Sequence, residues 1–177
     1  MLLDYGYIQN DYPTEQGITI SQLRSENELF LARIIFSGVL ENLTPAELAS
    51  VVCAITTEDM RADLYSQLPL SPSVRKTLNK IKDLKRDLDK KQKNHDVDDP
   101  MYINGFYSPL IEMWVNGAEW DSIIDEVDMG EGDIVRSFKR VVDVLRQFCT
   151  ISNIPEALVF IAREAIEMIQ RSPIDID

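Results

Sequence analysis

Three groups of side chains in this 177-residue chain are of types that perform chemistry: its single histidine, its acidic clusters and its arginine-bearing segments. His95 lies in a polar stretch, far in sequence from both Cys53 and Cys149. A nucleophilic pair or a histidine-rich metal site would have to be assembled around this one imidazole. We therefore expect a solvated linker histidine. Both cysteines lie in apolar helical patterns, which predicts buried thiols in a reducing cytosol.

The acidic segment 125–133 matches no catalytic or metal-binding motif. The glycines at 130 and 132 are not followed by the lysine that a phosphate-binding loop requires. They are followed instead by the carboxylates Glu131 and Asp133. The Asp-Glu-Val-Asp run at 125–128 follows a short amphipathic helix, whereas the acidic box of an ATPase follows a buried strand. A calcium loop fails because Val127 or Gly130 falls where an oxygen ligand is required. We predict no catalytic residue, no metal site and no cofactor in this chain.

The segment from Gly132 to Cys149 has the sharpest pattern, an amphipathic helix after a glycine turn. At ~100° per residue, its apolar side chains share about 80° of arc and its polar ones lie opposite. Arginine suits nucleic acid because its planar group can fork onto phosphate and stack on a base. The alternative is an ordinary amphipathic helix with a charged solvent face. The polar side carries three cations and two hydrogen-bonding groups: Arg136, Lys139, Arg140, Asp143 and Gln147.

A second basic surface is predicted on the helix from Ser71 to about Lys93. Between Arg75 and Lys93 there are nine basic and three acidic residues, a local charge of +6. The chain as a whole carries −12, so the remainder carries −18. This surface, here named the basic ridge and represented by Lys80, Lys85 and Lys90, could dock nucleic acid or an acidic protein. It could equally be a solvated face that pairs with the acidic remainder.

The spacing of apolar residues predicts an all-α fold, a multi-helix bundle with a short extended N-terminal segment. Residues 1–18 form the predicted extended lead-in. Residues 19–171 form the predicted bundle, with a polar connector at 94–100, and residues 172–177 a frayed acidic tail. The predicted helices run from Thr19 to a stop at Gly38, from a capping box at Thr44–Glu47 through Ile55, and over 71–93, 102–116, 120–127, 132–149 and 155–170.

Several of these segments, taken in order, resemble the DSHCT domain. That domain is the C-terminal helical bundle of superkiller- and exosome-associated DExH-box RNA helicases of superfamily 2. The resemblance is clearest at 131–140, Glu-Gly-Asp-Ile-Val-Arg-Ser-Phe-Lys-Arg, and continues to Gln147. Over 68–100 only helical character matches. The other segments that resemble the family are 5–8, Gly17, 25–29, 37–40, 43–49 and the Trp-Val-Asn-Gly-Ala-Glu-Trp run at 114–120.

The resemblance implies a domain that packs against two RecA-like motor domains and closes a channel for single-stranded RNA. It implies that the arginine-bearing helix is a ratchet helix. Arg136 would be the first candidate for base or backbone contact, supported by Lys139 and Arg140. Glu131 and Gly132 would shape the start of that helix. ATP and Mg²⁺ would belong to the parent motor, whose motifs this chain lacks, so we expect no catalytic activity from the chain alone.

Two functional hypotheses remain open from the sequence. The first is a noncatalytic domain of a cytoplasmic ATP-dependent RNA helicase that binds single-stranded RNA, weakly if isolated. The second is a helical protein–protein adaptor that docks an acidic partner through the basic helix 75–93. The acidic balance argues against binding to anionic membranes. The sequence begins mid-pattern at Leu2-Leu3-Asp4, which favours an excised portion of a helicase over a free-standing relative.

Overall fold

The computed structural model describes residues 1–57, 68–127 and 130–174. Within these ranges the all-α prediction is confirmed, because helices form the body of the molecule and the short sheet is confined to the N-terminal segment. In chain order the elements are β1 (Ile8–Gln9), β2 (Tyr12–Pro13), α1 (Glu15–Gln22), α2 (Glu28–Phe36), α3 (Pro45–Thr56), α4 (Pro72–Asn94), α5 (Ser108–Val115), α6 (Trp120–Ile124), α7 (Glu131–Thr150) and α8 (Glu156–Ile169).

The N-terminal segment is a hairpin followed directly by a helix. Strands β1 and β2 pair antiparallel across a two-residue turn, in which Asn10 and Asp11 both take positive φ. Positive φ at both central residues is typical of the two-residue hairpin turn whose twist matches the right-handed twist of the strands. The helix α1 then begins inside the predicted lead-in, because the Thr14 side chain caps it by accepting from the Gly17 N–H at 3.2 Å.

The single helix predicted from Thr19 to Gly38 is wrong, since the structure divides this segment into α1 and α2. Leu23 has extended backbone and ends α1, although its side chain stays fully buried. Asn27 begins the next helix by accepting a 2.7 Å hydrogen bond from the Phe30 N–H. A capping side chain stabilises a new helix start, so the turn at 24–27 is favoured over a continuous helix.

The helix predicted at 102–116 starts later than expected, at Ser108. Before it, residues 101–107 are irregular, and the Asn104 N–H donates to the Ala54 carbonyl at 2.7 Å. Pro109 lies in the first turn of α5, where a missing N–H carries no cost. The other predicted helices agree with α3, α4, α6, α7 and α8 to within about three residues. In the predicted frayed tail, Ile174 is instead fully buried, and residues 175–177 lie outside the described part of the chain.

Helix α3 is the centre of the bundle, and it contacts α4, α5, α7 and α8. Its start is the predicted capping box, in which Thr44 and Glu47 each bond the other's backbone N–H. Where α3 crosses α5, small residues let the backbones approach closely. The Ser50 hydroxyl donates to the Ser108 carbonyl at 2.9 Å, and the Ser108 hydroxyl donates to the Ser50 carbonyl at 2.8 Å. Both serines are fully buried.

Ser50→Leu is expected to lower the free energy of unfolding by about 1–3 kcal/mol more than Ser50→Ala does, because the added carbons must fit between two close backbones. Ser50→Ala removes one buried hydrogen bond and is expected to cost about 1 kcal/mol. Urea denaturation followed by circular dichroism measures both values. Equal stability of the two variants would mean that the crossing has room for a larger side chain.

The two cysteines lie in different surroundings, although the sequence predicted both to be buried. Cys53 is fully buried in α3, with its Sγ 3.6 Å from the Ser137 Oγ and 3.8 Å from the Thr57 Oγ1. Burial raises the pKa of the Cys53 thiol to about 11. Cys149, near the end of α7, is only partly buried, and its pKa is raised less far by the same cause.

In the folded protein, iodoacetamide is expected to alkylate Cys149 at least about tenfold faster than Cys53, since only an accessible thiolate reacts. Mass spectrometry of the two cysteine-bearing peptides over time measures the rates. In denaturing urea the two rates should become similar, which is the control. Equal rates in the folded state would contradict the buried environment of Cys53.

Candidate nucleic-acid interface

One face of α7 is fixed in the core, and this orients the opposite face toward solvent. The helix starts at Gly130, which has extended backbone, and Glu131 and Asp133 lie in its first turn. Carboxylates at this end complement the helix dipole. The helix contacts α3 and α8. Its buried residues are Ile134, Phe138, Val141, Leu145 and Phe148, which form the predicted apolar arc, together with Val142 and Val144 on its two sides.

Arg136, the first of the predicted RNA-contacting cations, is exposed. Its side chain is 78% exposed and pairs with Asp133, one turn earlier on the same helix. An exposed pair of this kind contributes little to stability, because water screens both charges. The guanidinium can therefore exchange its carboxylate for another anion at little cost.

Arg140 is also exposed but is held against a second helix. Its Nη1 donates to the Thr56 carbonyl at 3.1 Å, at the C-terminal end of α3. A cation at this position is favoured by the partial negative charge of the helix end. Lys139, between the two arginines, is half-buried. The predicted cations thus lie on the surface of α7 in two settings, one exchangeable and one anchored to α3.

Gln147 has a structural role that the sequence did not indicate. Its Oε1 accepts from the Arg24 N–H at 2.7 Å, and its Nε2 donates to the Arg24 carbonyl at 2.9 Å. Both ends of the amide are used to hold the turn between α1 and α2 against α7. Asp143, one turn earlier, is exposed. The predicted polar face therefore combines exposed charges with an internal clamp, Gln147 on Arg24.

The start of α7 is held by tryptophans rather than by its glycine. The Trp120 Nε1 donates to the Glu131 Oε1 at 2.8 Å and so connects α6 to α7. The Trp120 ring packs edge-on against Trp114 at 5.3 Å and against Phe138 at 6.3 Å. Gly132 is exposed, and a methyl group added to it would meet nothing within 4 Å. The Glu131 carboxylate thus connects the start of α7 to α6, and the role expected of Glu131 and Gly132 at the start of this helix remains a prediction.

A cavity of about 210 Å³ lies beside the polar face of α7. The α1–α2 turn at 24–27, the end of α3 and the segment 100–102 surround it, and Arg140, Asp143 and Gln147 line it from α7. No motif in the sequence pointed to it, because its walls come from four separate parts of the chain. Its lining thus combines polar side chains of α7 with apolar side chains from other elements.

The basic ridge on α4 is partly neutralised by its own aspartates. Lys85 pairs with Asp89 at 3.0 Å, Lys91 lies 4.0 Å from Asp87, and Arg86 pairs with Asp83. Lys80 and Lys90 are exposed. The Lys91 Nζ also lies 3.6 Å from the centre of the Tyr5 ring, which attaches the N-terminal segment to α4. The three aspartates already counted in the local charge of +6 are thus each placed beside a cation of the ridge.

The described residues contain no group of three or more histidine, cysteine or acidic side chains able to hold a metal ion. The imidazole Nε2 of His95 lies 2.9 Å from the Asp4 Oδ2, at the surface. This contact lowers the pKa of the Asp4 carboxyl. A separate finding is that, in the ranges with coordinates described above, no helix has the length and apolar character needed to cross a membrane.

The comparisons with known proteins identify the family. The model of the DSHCT (NUC185) domain matches residues 10–177. A chloroplastic DExH-box ATP-dependent RNA helicase, DExH15 of Arabidopsis thaliana, is 31% identical over 163 residues, which cover 89% of this chain and 14% of that protein. The ATP-dependent RNA helicase mtr4 of Schizosaccharomyces pombe is 23% identical, over 84% of this chain and 14% of its own length.

A bacterial relative extends the comparison. The probable helicase HelY of Mycobacterium tuberculosis (strain ATCC 25618 / H37Rv) is 26% identical over 176 residues, which cover 93% of this chain and 19% of that protein. The chain thus spans less than a fifth of the length of these relatives, and the matches cover most of the helical bundle. On the family match and this similarity, the chain belongs to the DSHCT (NUC185) domain family of RNA helicases.

Proposed function

We propose that this chain is a noncatalytic helical-bundle domain of an ATP-dependent RNA helicase. It would pack on the RecA-like motor domains and line the channel for single-stranded RNA with α7. The relatives named above are helicases, and the family match covers nearly the whole chain. ATP and Mg²⁺ would be bound by the motor and not by this domain.

The observation that carries the proposal is the exposed guanidinium of Arg136. The buried face of α7 fixes the direction of the helix, and Arg136 lies on its exposed side, paired with Asp133. A phosphate can accept from the guanidinium in place of the carboxylate, and a base can stack on the guanidinium plane. Arg140 and Lys139 lie on the same side and add positive charge near the strand.

The isolated domain should bind single-stranded RNA weakly. Few cations are available on α7, and the net charge of −12 repels the strand. Such a surface gives dissociation constants of roughly 10⁻⁴ M at physiological salt, typical of nonspecific binding. The dependence on salt should also be shallow, because few counterions are released.

A fluorescence-anisotropy titration with labelled single-stranded RNA at low salt tests the RNA contact. We would compare the unmodified chain with Arg136→Glu/Arg140→Glu and with Lys80→Glu/Lys90→Glu on the basic ridge. Both variants change the net charge by the same amount, and circular dichroism checks that they fold alike. Loss of binding in the α7 variant alone supports the proposal. Loss in the ridge variant alone would move the RNA contact to α4.

Within the complete helicase, Arg136→Ala is expected to impair strand unwinding several-fold more than ATP hydrolysis, because the arginine would contact the strand and not the nucleotide. Steady-state ATPase rates and unwinding rates of the same preparation give the comparison. Equal loss of both activities would contradict the ratchet role and indicate misfolding.

The adaptor function remains the second candidate, and one observation favours it. Lys80 and Lys90 are exposed and have no ion pair among the residues that the structure describes. Two such cations on a long helix could dock an acidic protein. Absence of RNA binding in the titration, together with capture of an acidic peptide that Lys80→Glu/Lys90→Glu abolishes, would favour this function.

A further inference from the structure

The cavity beside α7 has the size of a site for one aromatic ring system. Its volume is about 210 Å³. A cavity of about 150 Å³ is enough to hold benzene in a protein interior. The space is therefore sufficient for a single heterocycle and too small for two stacked ones. It opens beside Arg140, on the polar face of α7.

The walls of the cavity are suited to a flat, apolar face. Phe30, Leu31 and Met101 are all buried residues that contribute to the lining, and Val144 adds to it from α7. Tyr102 lines the cavity too and is only partly buried. An aromatic ring that enters from solvent would lose water from both faces and gain contacts with these side chains.

The polar groups of the cavity favour a neutral ligand with hydrogen-bonding edges. Its charged residues balance, since Arg24 and Arg140 are offset by Glu26 and Asp143. A phosphate or an ammonium group would therefore gain little net attraction. The Ser25 Oγ is shielded from solvent and has no hydrogen-bond partner among the described residues. A buried hydroxyl without a partner is costly, and an acceptor atom on a ligand would satisfy it once the Ser25 side chain rotates toward the cavity.

We propose that this cavity binds one unstacked nucleobase of the single strand that α7 contacts. The proposal rests on the function proposed above, because the strand must run along α7 to reach the cavity. The base would lie on the apolar wall, and the Ser25 hydroxyl would donate to a ring nitrogen or carbonyl. Each of the four bases has such an acceptor and a flat face, so the site accepts any base.

The test compares two labelled strands of equal length, one of oligouridylate and one of abasic spacer units. Both carry the same number of phosphates, so they differ only in having bases. The unmodified chain is expected to bind the strand with bases about fivefold more tightly or better, as expected for one well-placed base. Ser25→Phe fills the cavity and should lose most of this preference, keeping only the part that comes from bases stacked on Arg136. The matched control, Ser21→Phe, adds the same ring to an exposed position of α1 outside the cavity and should keep the preference.

A second variant tests the site independently, in case Ser25→Phe does not fold. Tyr102→Ser leaves the cavity open and removes one wall, and it should reduce the preference without changing the circular dichroism spectrum. A preference for the base-bearing strand that is undiminished in Ser25→Phe would overturn the base site. Equal binding of both strands by the unmodified chain would also overturn the base site. If that binding still depends on Arg136 and Arg140, the proposed function remains intact.

The other occupant with suitable chemistry is an aromatic side chain of a protein. NMR titration of the isotope-labelled chain with uridine and with N-acetyltryptophanamide separates the two. Shifts confined to the cavity residues with uridine support the base site. Shifts at those residues with the tryptophan derivative alone would assign the cavity to a protein partner and overturn the proposal. Failure to bind any strand would overturn both the base site and the proposed function.

Discussion

Trp114→Ala is expected to lower the free energy of unfolding by about 3–5 kcal/mol, as for other large buried aromatic residues. Trp114 is only 1% exposed, and its Nε1 donates to the Ile169 carbonyl at 2.9 Å. The Arg171 guanidinium lies 3.4 Å from the centre of the ring and donates to the Trp114 and Ala118 carbonyls. The indole thus joins α5, the end of α8 and the segment that follows it.

Urea denaturation, followed by circular dichroism, measures the loss. Trp114→Phe keeps most of the volume but leaves the Ile169 carbonyl without its indole donor, so an intermediate loss is expected. Tyr12→Ala is the control on the surface, because Tyr12 is 74% exposed, and its effect should stay within about 0.5 kcal/mol. A loss below 1 kcal/mol for Trp114→Ala would show that the bundle does not depend on this residue.

Gly17→Ala is expected to lower the free energy of unfolding by about 2 kcal/mol, although alanine is the better helix former by about 1 kcal/mol. A methyl group at Gly17 would lie 2.1 Å from the Tyr7 carbonyl oxygen, which is backbone and accepts from the Thr14 N–H. The hairpin would have to move away from α1. The loss should therefore be accompanied by faster proteolysis of the N-terminal segment.

Gly132→Ala is the matched control with the opposite sign. Gly132 is also in the first turn of a helix, but a methyl group there meets nothing within 4 Å. Its replacement should raise the free energy of unfolding by about 0.4–1 kcal/mol, because the unfolded chain loses freedom. Thermal unfolding of both variants gives the comparison. Stabilisation by Gly17→Ala would contradict the close approach of α1 to the hairpin.

Helices with a local start signal were predictable from the sequence. The capping box at Thr44–Glu47 and the Ser71-Pro72 pair both mark helices that the structure confirms. The break at 24–27 was missed because α1 and α2 bury apolar residues in the same core and so keep a helical spacing across the turn. The available signal was Asn27 itself, because asparagine is a preferred N-cap residue, and here it caps the Phe30 N–H.

The candidate interface was predicted in part, because the buried and polar faces of α7 follow from its own sequence. The roles of Arg136 and its neighbours in RNA binding remain predictions. The clamp from Gln147 to Arg24 joins residues 123 positions apart, and the cavity draws its walls from four segments. Such features depend on how the helices pack. No local pattern in a single sequence encodes them.

The pair between Arg136 and Asp133 bears on how a moving strand would be held. If Arg136 binds the strand as proposed, each contact with a phosphate would be gained at the expense of its contact with Asp133. The net binding free energy for any one nucleotide would therefore be small, and release of the nucleotide would restore the pair between Arg136 and Asp133. A motor that advances a strand stepwise needs contacts that re-form as easily as they break. Asp133 would thus influence the rate at which the strand dissociates from Arg136 at each step.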